Sequence, residues 1–230
     1  MRKLVCLICL ISAFACSRKG SSYQQEVKAY TDTISVATKP APFELLVKRY
    51  ENPSREIWQD SEFIISQLGD ISGQTIADIG VGTGYFAFQL AGTADKIIAI
   101  DVEKRFLDYI EQRKSEITNE ALASKIETRL SEPDNPKLNN KEIDKALIVN
   151  TYYYLSDRET YLERLINGIA PSGQVVIVDY KSGELPVGPK ETARIEWNVV
   201  KNELESVGFL IDKIDTTSLQ FQYLIRATKL

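Results

Sequence analysis

The chain has 230 residues, of which 43% are hydrophobic and 26% are charged, and its formal net charge at pH 7 is −4. This composition is typical of a globular domain and excludes collagen-like, disordered and multi-span membrane classes for the chain as a whole. Nucleic-acid binding requires a basic surface, so the acidic balance predicts a protein with no nucleic-acid partner.

The first fifteen residues are typical of a secretory signal peptide. A positive start precedes an apolar run over residues 4–15, which is shorter than the roughly 20 residues that a membrane-spanning helix needs. The run ends in small residues before Cys16, and it resembles a bacterial lipoprotein signal in which Cys16 carries the lipid. A plain cleaved signal peptide is the alternative. We therefore expect an exported lipoprotein, anchored to a membrane on its periplasmic or cell-surface side.

Residues 16–42 follow as the lipidated cysteine and a polar stretch rich in Ser, Thr, Gln and Lys. This composition predicts a flexible tether between the anchor and the domain.

The catalytic chemistry available to the domain is limited by two missing residue types. The chain contains no histidine, which excludes His-based general bases and His-ligated metals. Its three cysteines all lie within the first sixteen residues, so the domain has no thiol for catalysis, disulfides or metal binding. We expect no metal site, and the candidate catalytic groups are carboxylates, tyrosines, hydroxyls, amides, lysines and arginines.

Helix and strand patterns alternate along residues 43–230. In chain order, the hydrophobic spacing predicts helix 58–68, strand 75–79, helix 85–90, strand 96–100, helix 106–117, strands 125–130 and 145–150, helix 158–169, a turn at 171–173, strand 174–179, helix 195–206, and strands 209–214 and 221–227.

Strands that alternate with helices indicate a mainly parallel sheet with helices on both faces. The link between the last two strands is too short for a crossover helix, so these strands must be antiparallel. The sequence therefore predicts one α/β domain over residues 43–230. Its core is a doubly wound, mainly parallel seven-strand sheet with one antiparallel strand near the C-terminus.

A glycine-rich turn follows the first strand, where residues 78–84 read Asp-Ile-Gly-Val-Gly-Thr-Gly. Ligands of doubly wound sheets bind at the carboxyl ends of the strands, and glycines let the backbone approach a ligand closely. The dinucleotide pattern requires one more residue before its third glycine, and a P-loop requires a lysine. Neither pattern matches, because Gly84 comes one residue early and the turn has no lysine.

Two acidic residues indicate which ligand the turn accepts. Asp78 is a poor neighbour for a pyrophosphate but suits an ammonium or a sulfonium group, both of which S-adenosylmethionine carries. Asp101 follows the second strand, where a carboxylate can accept hydrogen bonds from ribose hydroxyls, with Glu103 as a substitute. A structural turn and a helix cap are the alternative interpretation of these residues.

Residues 78–86 resemble the first motif of class I S-adenosylmethionine-dependent methyltransferases. The resemblance extends over residues 49–229, and residues 52–59, 150–155, 178–181 and 186–189 are similar to segments of one bacterial subgroup. It implies the seven-strand methyltransferase sheet and S-adenosylmethionine as the cofactor. The residues that it assigns to the cofactor site are Asp78, Gly80, Gly82, Gly84, Asp101, Glu132, Asn150 and Thr151.

The expected reaction is in-line attack of a nucleophile on the activated methyl group. Alignment of donor and acceptor can supply most of the acceleration, so the missing histidine is no obstacle. If the acceptor must lose a proton, Asp179, Tyr152 and Tyr153 are the candidate bases. Tyrosines 152–154 are also candidates for an aromatic wall beside a planar or cationic substrate.

The acceptor itself is not specified by the sequence, although a small molecule is expected. Two alternatives to a methyltransferase stay open. One is a non-catalytic lipoprotein that kept the fold and binds S-adenosylmethionine or a nucleoside, which an exported location favours because the donor is made in the cytoplasm. The other is a nicotinamide-dependent oxidoreductase.

Overall fold

The computed structural model describes residues 42–52 and 59–230. The predicted signal peptide, Cys16 and the tether up to residue 41 lie outside the described residues, as does the first residue of predicted helix 58–68. No helix in the described part of the chain is long and apolar enough to cross a membrane.

The predicted alternation of helices and strands is observed throughout the domain. The helices are α1 (Phe43–Tyr50), α2 (Ser61–Ser66), α3 (Tyr85–Leu90), α4 (Lys104–Glu116), α5 (Glu120–Ser124), α6 (Arg158–Gly168) and α7 (Trp197–Ser206). The strands are β1 (Thr75–Ile79), β2 (Lys96–Asp101), β3 (Ile126–Leu130), β4 (Ile143–Val149), β5 (Ile169–Tyr180), β6 (Phe209–Asp215) and β7 (Gln222–Lys229). Two short 3-10 turns cover Tyr152–Tyr154 and Glu191–Ala193.

The strands form one seven-stranded sheet in the order β3-β2-β1-β4-β5-β7-β6. Strand β7 is antiparallel to both of its neighbours, and the other pairs are parallel. The predicted fold is confirmed, including the single reversed strand near the C-terminus. The chain builds outward from β1 to β3 on one side and from β4 on the other, so the strand order reverses between β1 and β4. Ligand crevices form at such a reversal, at the carboxyl ends of the strands.

Alternate residues of the central strands pack into two separate cores, one on each face of the sheet. The first core joins the sheet to α2, α3 and α4 through side chains such as Ile64, Leu90 and Ile110. The second core joins it to α6 and α7 through side chains such as Leu165 and Leu204. Because both faces are covered, the central strands are apolar at nearly every position, and this continuous pattern made them recognisable in the sequence.

Strand β5 begins earlier than predicted. The sequence predicts a turn at 171–173 and a strand from 174, whereas the structure has a strand from Ile169. Ile143 pairs with Ile169 and Lys145 pairs with Gln174, so residues 170–173 bulge out opposite a single residue of β4. Ser172 has a φ of 61° in this bulge. The turn-forming residues therefore interrupt the strand without ending it, because pairing with β4 resumes after them.

Helices α1 and α5 were not predicted. Each is short, and neither contains a fully buried residue. Their apolar positions are too few to give a periodic signal, and their positions depend on packing against α4 and β3.

Lys145 links β4 to the end of α2 by an interaction that should be measurable in stability. Its buried ammonium donates hydrogen bonds to the carbonyl oxygens of Leu68, at 2.5 Å, and Asp70, at 2.8 Å. We expect Lys145→Met to lower the free energy of unfolding by about 1.5–3 kcal/mol, since two carbonyls lose a charged donor. Lys104→Met is the control, because Lys104 is exposed on α4. Chemical denaturation measures both variants, and equal effects would contradict this role for Lys145.

Candidate functional site

A cavity of about 590 Å³ opens at the carboxyl ends of the central strands. Its walls come from the turn after β1, the end of β2, the segment after β4 and the end of β5. This is the place where the reversal of strand order leaves a crevice. Most of the residues that the sequence analysis proposed for a site line this cavity: Asp78, Gly80, Gly82, Asp101, Asn150, Thr151, Tyr153 and Asp179.

The glycine-rich turn is fastened to the end of β2. The N–H groups of Gly80 and Val81 donate to the carbonyl oxygen of Ile100, at 2.9 and 3.0 Å. The N–H of Gly82 donates to the Asp101 carboxylate at 3.0 Å. These donors are already used within the protein. These hydrogen bonds fix the path of the backbone along the cavity wall.

Gly80 allows the turn to touch the segment that follows β4. It has a φ of +73°, and a Cβ added there would lie 2.2 Å from Oγ1 of Thr151. Gly84 has a different role: it precedes α3, a Cβ there would meet the Phe88 ring at 2.8 Å, and it does not line the cavity. Gly84 therefore allows close packing of α3.

Asp101 is a buried carboxylate at the cavity wall, with 8% of its surface exposed. One carboxylate oxygen accepts from the N–H of Gly82, and the other accepts from the N–H of Glu103 at 2.9 Å. Burial raises the pKa of Asp101, and the backbone N–H groups of Glu103, Gly82 and Val102 oppose that rise. Each carboxylate oxygen has a second lone pair, so the group can still accept hydrogen bonds from a ligand. Asp78, only 3% exposed, lines the same cavity.

Asn150 and Thr151 leave β4 in a bent conformation. Asn150 has a φ of 56°, and its N–H donates to the carbonyl oxygen of Val178 at 2.8 Å. Thr151 donates its hydroxyl to the carbonyl oxygen of Val149 at 3.0 Å. Gln222, which the sequence analysis missed, donates its side-chain amide to Oδ1 of Asn150 at 2.6 Å. No local sequence signal could have found Gln222, because its partners at the site, Tyr180 on β5 and Asn150 after β4, are distant in the chain.

Asp179 lies at the end of β5 and is 4% exposed. Burial raises its pKa to about 6, while the N–H groups of Tyr180, Tyr152 and Tyr153 oppose that rise. Its Oδ1 accepts from the Tyr180 N–H at 2.7 Å, and its Oδ2 has no hydrogen-bond partner among the described residues. Asp179 is therefore a cavity residue whose pKa is raised towards neutrality and whose second oxygen is buried without a hydrogen bond.

The three consecutive tyrosines separate in the structure. Tyr153 and Tyr154 line the cavity and are 38% and 64% exposed, with their rings edge to face at 5.4 Å. Tyr152 points away into the core beneath α7, where its hydroxyl donates to Glu203 at 2.7 Å. Burial and this neighbour raise the pKa of Tyr152 above its usual range. Tyr152 thus does not line the cavity, and Tyr153 and Tyr154 alone form the aromatic wall that the sequence predicted for all three tyrosines.

Glu132 is placed at the rim and not in the cavity wall. Its side chain is 57% exposed and forms an ion pair with Lys137 at 2.8 Å. Ser131 and Pro133, on either side of it, do line the cavity. The loop therefore contributes to the cavity wall through Ser131 and Pro133. The Glu132 carboxylate, which the resemblance assigned to the cofactor, forms its ion pair outside the cavity.

Helix α1 supplies wall residues that the sequence analysis did not anticipate, namely Arg49 and Tyr50. A Cβ on Gly82 would lie 3.4 Å from the Tyr50 ring, so this helix covers the glycine-rich turn. Glu51 follows α1 and accepts hydrogen bonds from Tyr109 and Arg113 of α4. These contacts hold α1 beside the cavity.

Comparisons with known proteins agree with this geometry. Residues 76–173 match a family model described as "Methyltransferase domain". An O-methyltransferase of Aspergillus sclerotiorum is 23% identical over 167 residues, which cover 70% of this chain and 60% of that protein. A tRNA U34 carboxymethyltransferase of Klebsiella pneumoniae is 24% identical over 140 residues, which cover 60% of this chain and 40% of that protein. The chain thus spans less than two thirds of the length of these curated relatives.

A solved structure shows the same fold. A SAM-dependent methyltransferase from Aquifex aeolicus is similar with a TM-score of 0.74 and 23% identity, and the match covers 83% of this chain and 100% of that one. The fold is therefore that of class I methyltransferases, and residues 76–173 match the methyltransferase domain. That structure is of a protein that depends on S-adenosylmethionine, and a Haemonchus contortus N-methyltransferase with a TM-score of 0.62 was solved with S-adenosylhomocysteine. These findings favour a methyltransferase over a nicotinamide-dependent oxidoreductase.

The cavity residues fit this cofactor chemically. The buried Asp101 carboxylate retains lone pairs for the ribose hydroxyls, and the Asp78 carboxylate suits the ammonium group. Gly80 and Gly82, in the turn between these acids, carry no side chains that would fill the cavity. Buried carboxylates in the cavity wall suit a ligand that carries a sulfonium.

The contact between Gly80 and Thr151 can be tested by comparing alanine substitutions at two glycines, Gly80 and Gly73. We expect Gly80→Ala to abolish S-adenosylmethionine binding, because its methyl group would displace Thr151 and distort the cavity. Gly73→Ala is the control, since Gly73 has a φ of +70° and no atom within 4 Å of an added Cβ. Both variants carry left-handed backbone strain of roughly 1–2 kcal/mol. Calorimetric titration and thermal unfolding separate the two effects, and retained binding by Gly80→Ala would refute this role.

Proposed function

We propose that this protein is an S-adenosylmethionine-dependent methyltransferase that methylates a small-molecule acceptor. One observation carries the proposal: the buried Asp101 carboxylate is held beside the glycine-rich turn by the N–H groups of Gly82 and Glu103, at the wall of the cavity. A buried carboxylate is costly unless a ligand or a hydrogen-bond network uses it. Here it remains able to accept bonds from a diol.

Each wall has a proposed role in holding the cofactor. Asp101 accepts from the ribose hydroxyls, and Asp78 accepts from the ammonium group of the methionine part. Gly80 and Gly82 keep the intervening space open, and the loop around Ser131 and Pro133 borders the adenine. Asn150 and Thr151 lie between this half of the cavity and the half formed by Asp179 and the tyrosines. Glu132 and Gly84 are left out of this assignment because they do not line the cavity.

The bound cofactor supplies a methyl group activated by a neighbouring sulfonium. The protein's own residues align an acceptor with that methyl group and exclude competing water. Tyr153, Tyr154 and Tyr180 border the half of the cavity that remains for the acceptor, and Asp179 lies among them. Positioning of this kind can supply up to roughly 7–11 kcal/mol of the barrier reduction in ideal cases.

Several observations support a small molecule as the acceptor. The whole cavity is about 590 Å³, and the cofactor takes a large part of it. The net charge of −4 does not favour a nucleic acid as the acceptor, although one relative is named for tRNA. The similarity to an O-methyltransferase favours a small acceptor that is methylated on oxygen.

The cofactor assignment is tested by titrating the full-length protein, purified in detergent, with S-adenosylmethionine. We expect Asp101→Ala to weaken binding by roughly a hundredfold, because two hydrogen bonds to a charged group are lost. Asp108→Ala is the matched control, because Asp108 is exposed on α4 and pairs with Lys104. Isothermal titration calorimetry measures the affinities. A folded wild-type protein that does not bind the cofactor would require the proposal to be withdrawn.

A non-catalytic binding protein is the second candidate, and the predicted export favours it. Transfer of an isotope-labelled methyl group to a mixture of small alcohols, phenols and amines distinguishes the two. Cofactor binding without label transfer to any acceptor would favour the binding protein.

We also propose that the protein is an exported lipoprotein with its lipid on Cys16. The support lies in the sequence alone, namely the short apolar run over residues 4–15 and the small residues before the cysteine. A lipid and the polar stretch up to residue 42 would place the domain close to a membrane without a spanning helix.

The anchor is tested by fractionating cells of a bacterium that processes lipoproteins. We expect Cys16→Ser to move the protein from the membrane fraction to the soluble fraction and to remove the lipid mass from its N-terminus. Cys9→Ser, in the predicted signal peptide, should leave both properties unchanged. An unlipidated wild-type protein that retains Met1, detected by intact mass spectrometry, would contradict the proposal.

A further inference from the structure

Two polar residues line the part of the cavity that the cofactor assignment leaves to the acceptor. Asn150 follows β4 and Asp179 lies near the end of β5, and the two segments are joined where the N–H of Asn150 donates to Val178. Both residues line the cavity. Oδ2 of Asp179 is buried and has no hydrogen-bond partner in the part of the chain that the structure describes. Buried carboxylate oxygens normally accept a hydrogen bond, and a bound ligand that donates one would explain why Oδ2 has no partner within the protein.

Gln222 fixes which end of the Asn150 amide faces the cavity. Gln222 is fully buried on β7, and its amide nitrogen donates to Oδ1 of Asn150 at 2.6 Å. Because Oδ1 is engaged by Gln222, the amide nitrogen of Asn150 is directed elsewhere. That nitrogen has no hydrogen-bond partner among the described residues. The cavity therefore presents a hydrogen-bond donor on Asn150 and a hydrogen-bond acceptor on Asp179.

The geometry points to an acceptor that is methylated on a hydroxyl group, with Asn150 donating to the hydroxyl oxygen and Asp179 accepting its proton. Gln222 is a positioning residue, since it acts through the orientation of Asn150. This inference rests on the proposed function and goes further by naming the residues that recognise the reacting hydroxyl group.

The chemistry of the pair selects a hydroxyl over an amine. A hydroxyl group both donates and accepts hydrogen bonds, so it can satisfy Asn150 and Asp179 together. A neutral amine has a single lone pair, and because attack on the methyl group uses it, none remains for the Asn150 donor. The pKa of Asp179, raised by burial to about 6, also suits a base that works near neutral pH.

The reaction step balances with these residues alone and the methyl donor. The O–H bond of the acceptor breaks, and its proton moves to Oδ2 of Asp179. The electron pair on the acceptor oxygen forms the new bond to the methyl carbon. The methyl–sulfur bond breaks, and its electron pair remains on sulfur, which becomes a neutral thioether. The proton on Asp179 is released to solvent when the methylated product leaves.

A pair of probes that differ in one hydroxyl group tests the inference. The probes are 4-methoxyphenol and 1,4-dimethoxybenzene, titrated into the full-length protein in detergent with S-adenosylhomocysteine present, so that no turnover occurs. We expect the wild type to bind the phenol roughly tenfold or more tightly, because only the phenol donates to Asp179. This preference should weaken as the pH is lowered through about 6, where the carboxylate takes up a proton.

Two variants locate the source of the preference. Asp179→Asn and Gln222→Met should each reduce the preference to about twofold or less while the affinity for S-adenosylhomocysteine changes by less than about threefold. Asp108→Asn and Gln112→Met are the matched controls, since both residues are exposed on α4. Thermal unfolding checks each variant, and Gln222→Asn, which keeps a shorter amide, should recover part of the preference lost in Gln222→Met.

The outcomes separate this inference from the proposed function. Cofactor binding without a phenol preference in the wild type, including failure of both probes to bind, would overturn the hydroxyl assignment and leave the methyltransferase proposal standing. A preference that survives in Asp179→Asn would overturn the role of Asp179. Loss of cofactor binding by the wild type would instead count against the proposed function.

Discussion

The attachment of the glycine-rich turn to the end of β2 is the interaction on which the site depends. The carbonyl of Ile100 accepts from two successive N–H groups of the turn, and the Asp101 carboxylate accepts from a third. These bonds fix the turn after β1 against its neighbouring strand, while the contact between Gly80 and Thr151 fixes it against the segment after β4. The cavity is the space between these three segments and the end of β5, and contacts within the protein hold the segments in place.

Burial of acidic groups gives the cavity its chemical character. Asp78, Asp101 and Asp179 are each less than a tenth exposed. Backbone N–H groups hold Asp101 and one oxygen of Asp179. Burial of a carboxylate costs stability, and a cationic cofactor and a hydroxyl donor would offset that cost.

Predictions from sequence succeeded where the signal was local and failed where packing decided the outcome. Strand β1 and helix α3 have the predicted bounds, because an apolar run and a glycine-rich turn define their ends. Tyr152 and Tyr153 are adjacent in the sequence, yet one hydroxyl contacts Glu203 in the core and the other residue lines the cavity. Glu132 fits the expected pattern by position, but its carboxylate pairs with Lys137 at the surface. A one-dimensional pattern cannot specify the direction in which a loop side chain points.

The sequence by itself determined the α/β class, the number of strands, the reversed C-terminal pair and the glycine-rich turn with its two acids. Each of these follows from periodicity, loop length or residue type within a short window. Only the tertiary structure decided that Asp179 and Asn150 share a cavity, that Gln222 orients Asn150, and that α1 covers the turn. These relations join residues as far apart as 72 positions in the chain. They arise because the strand ends converge at one edge of the sheet, where distance along the chain has no bearing on distance in space.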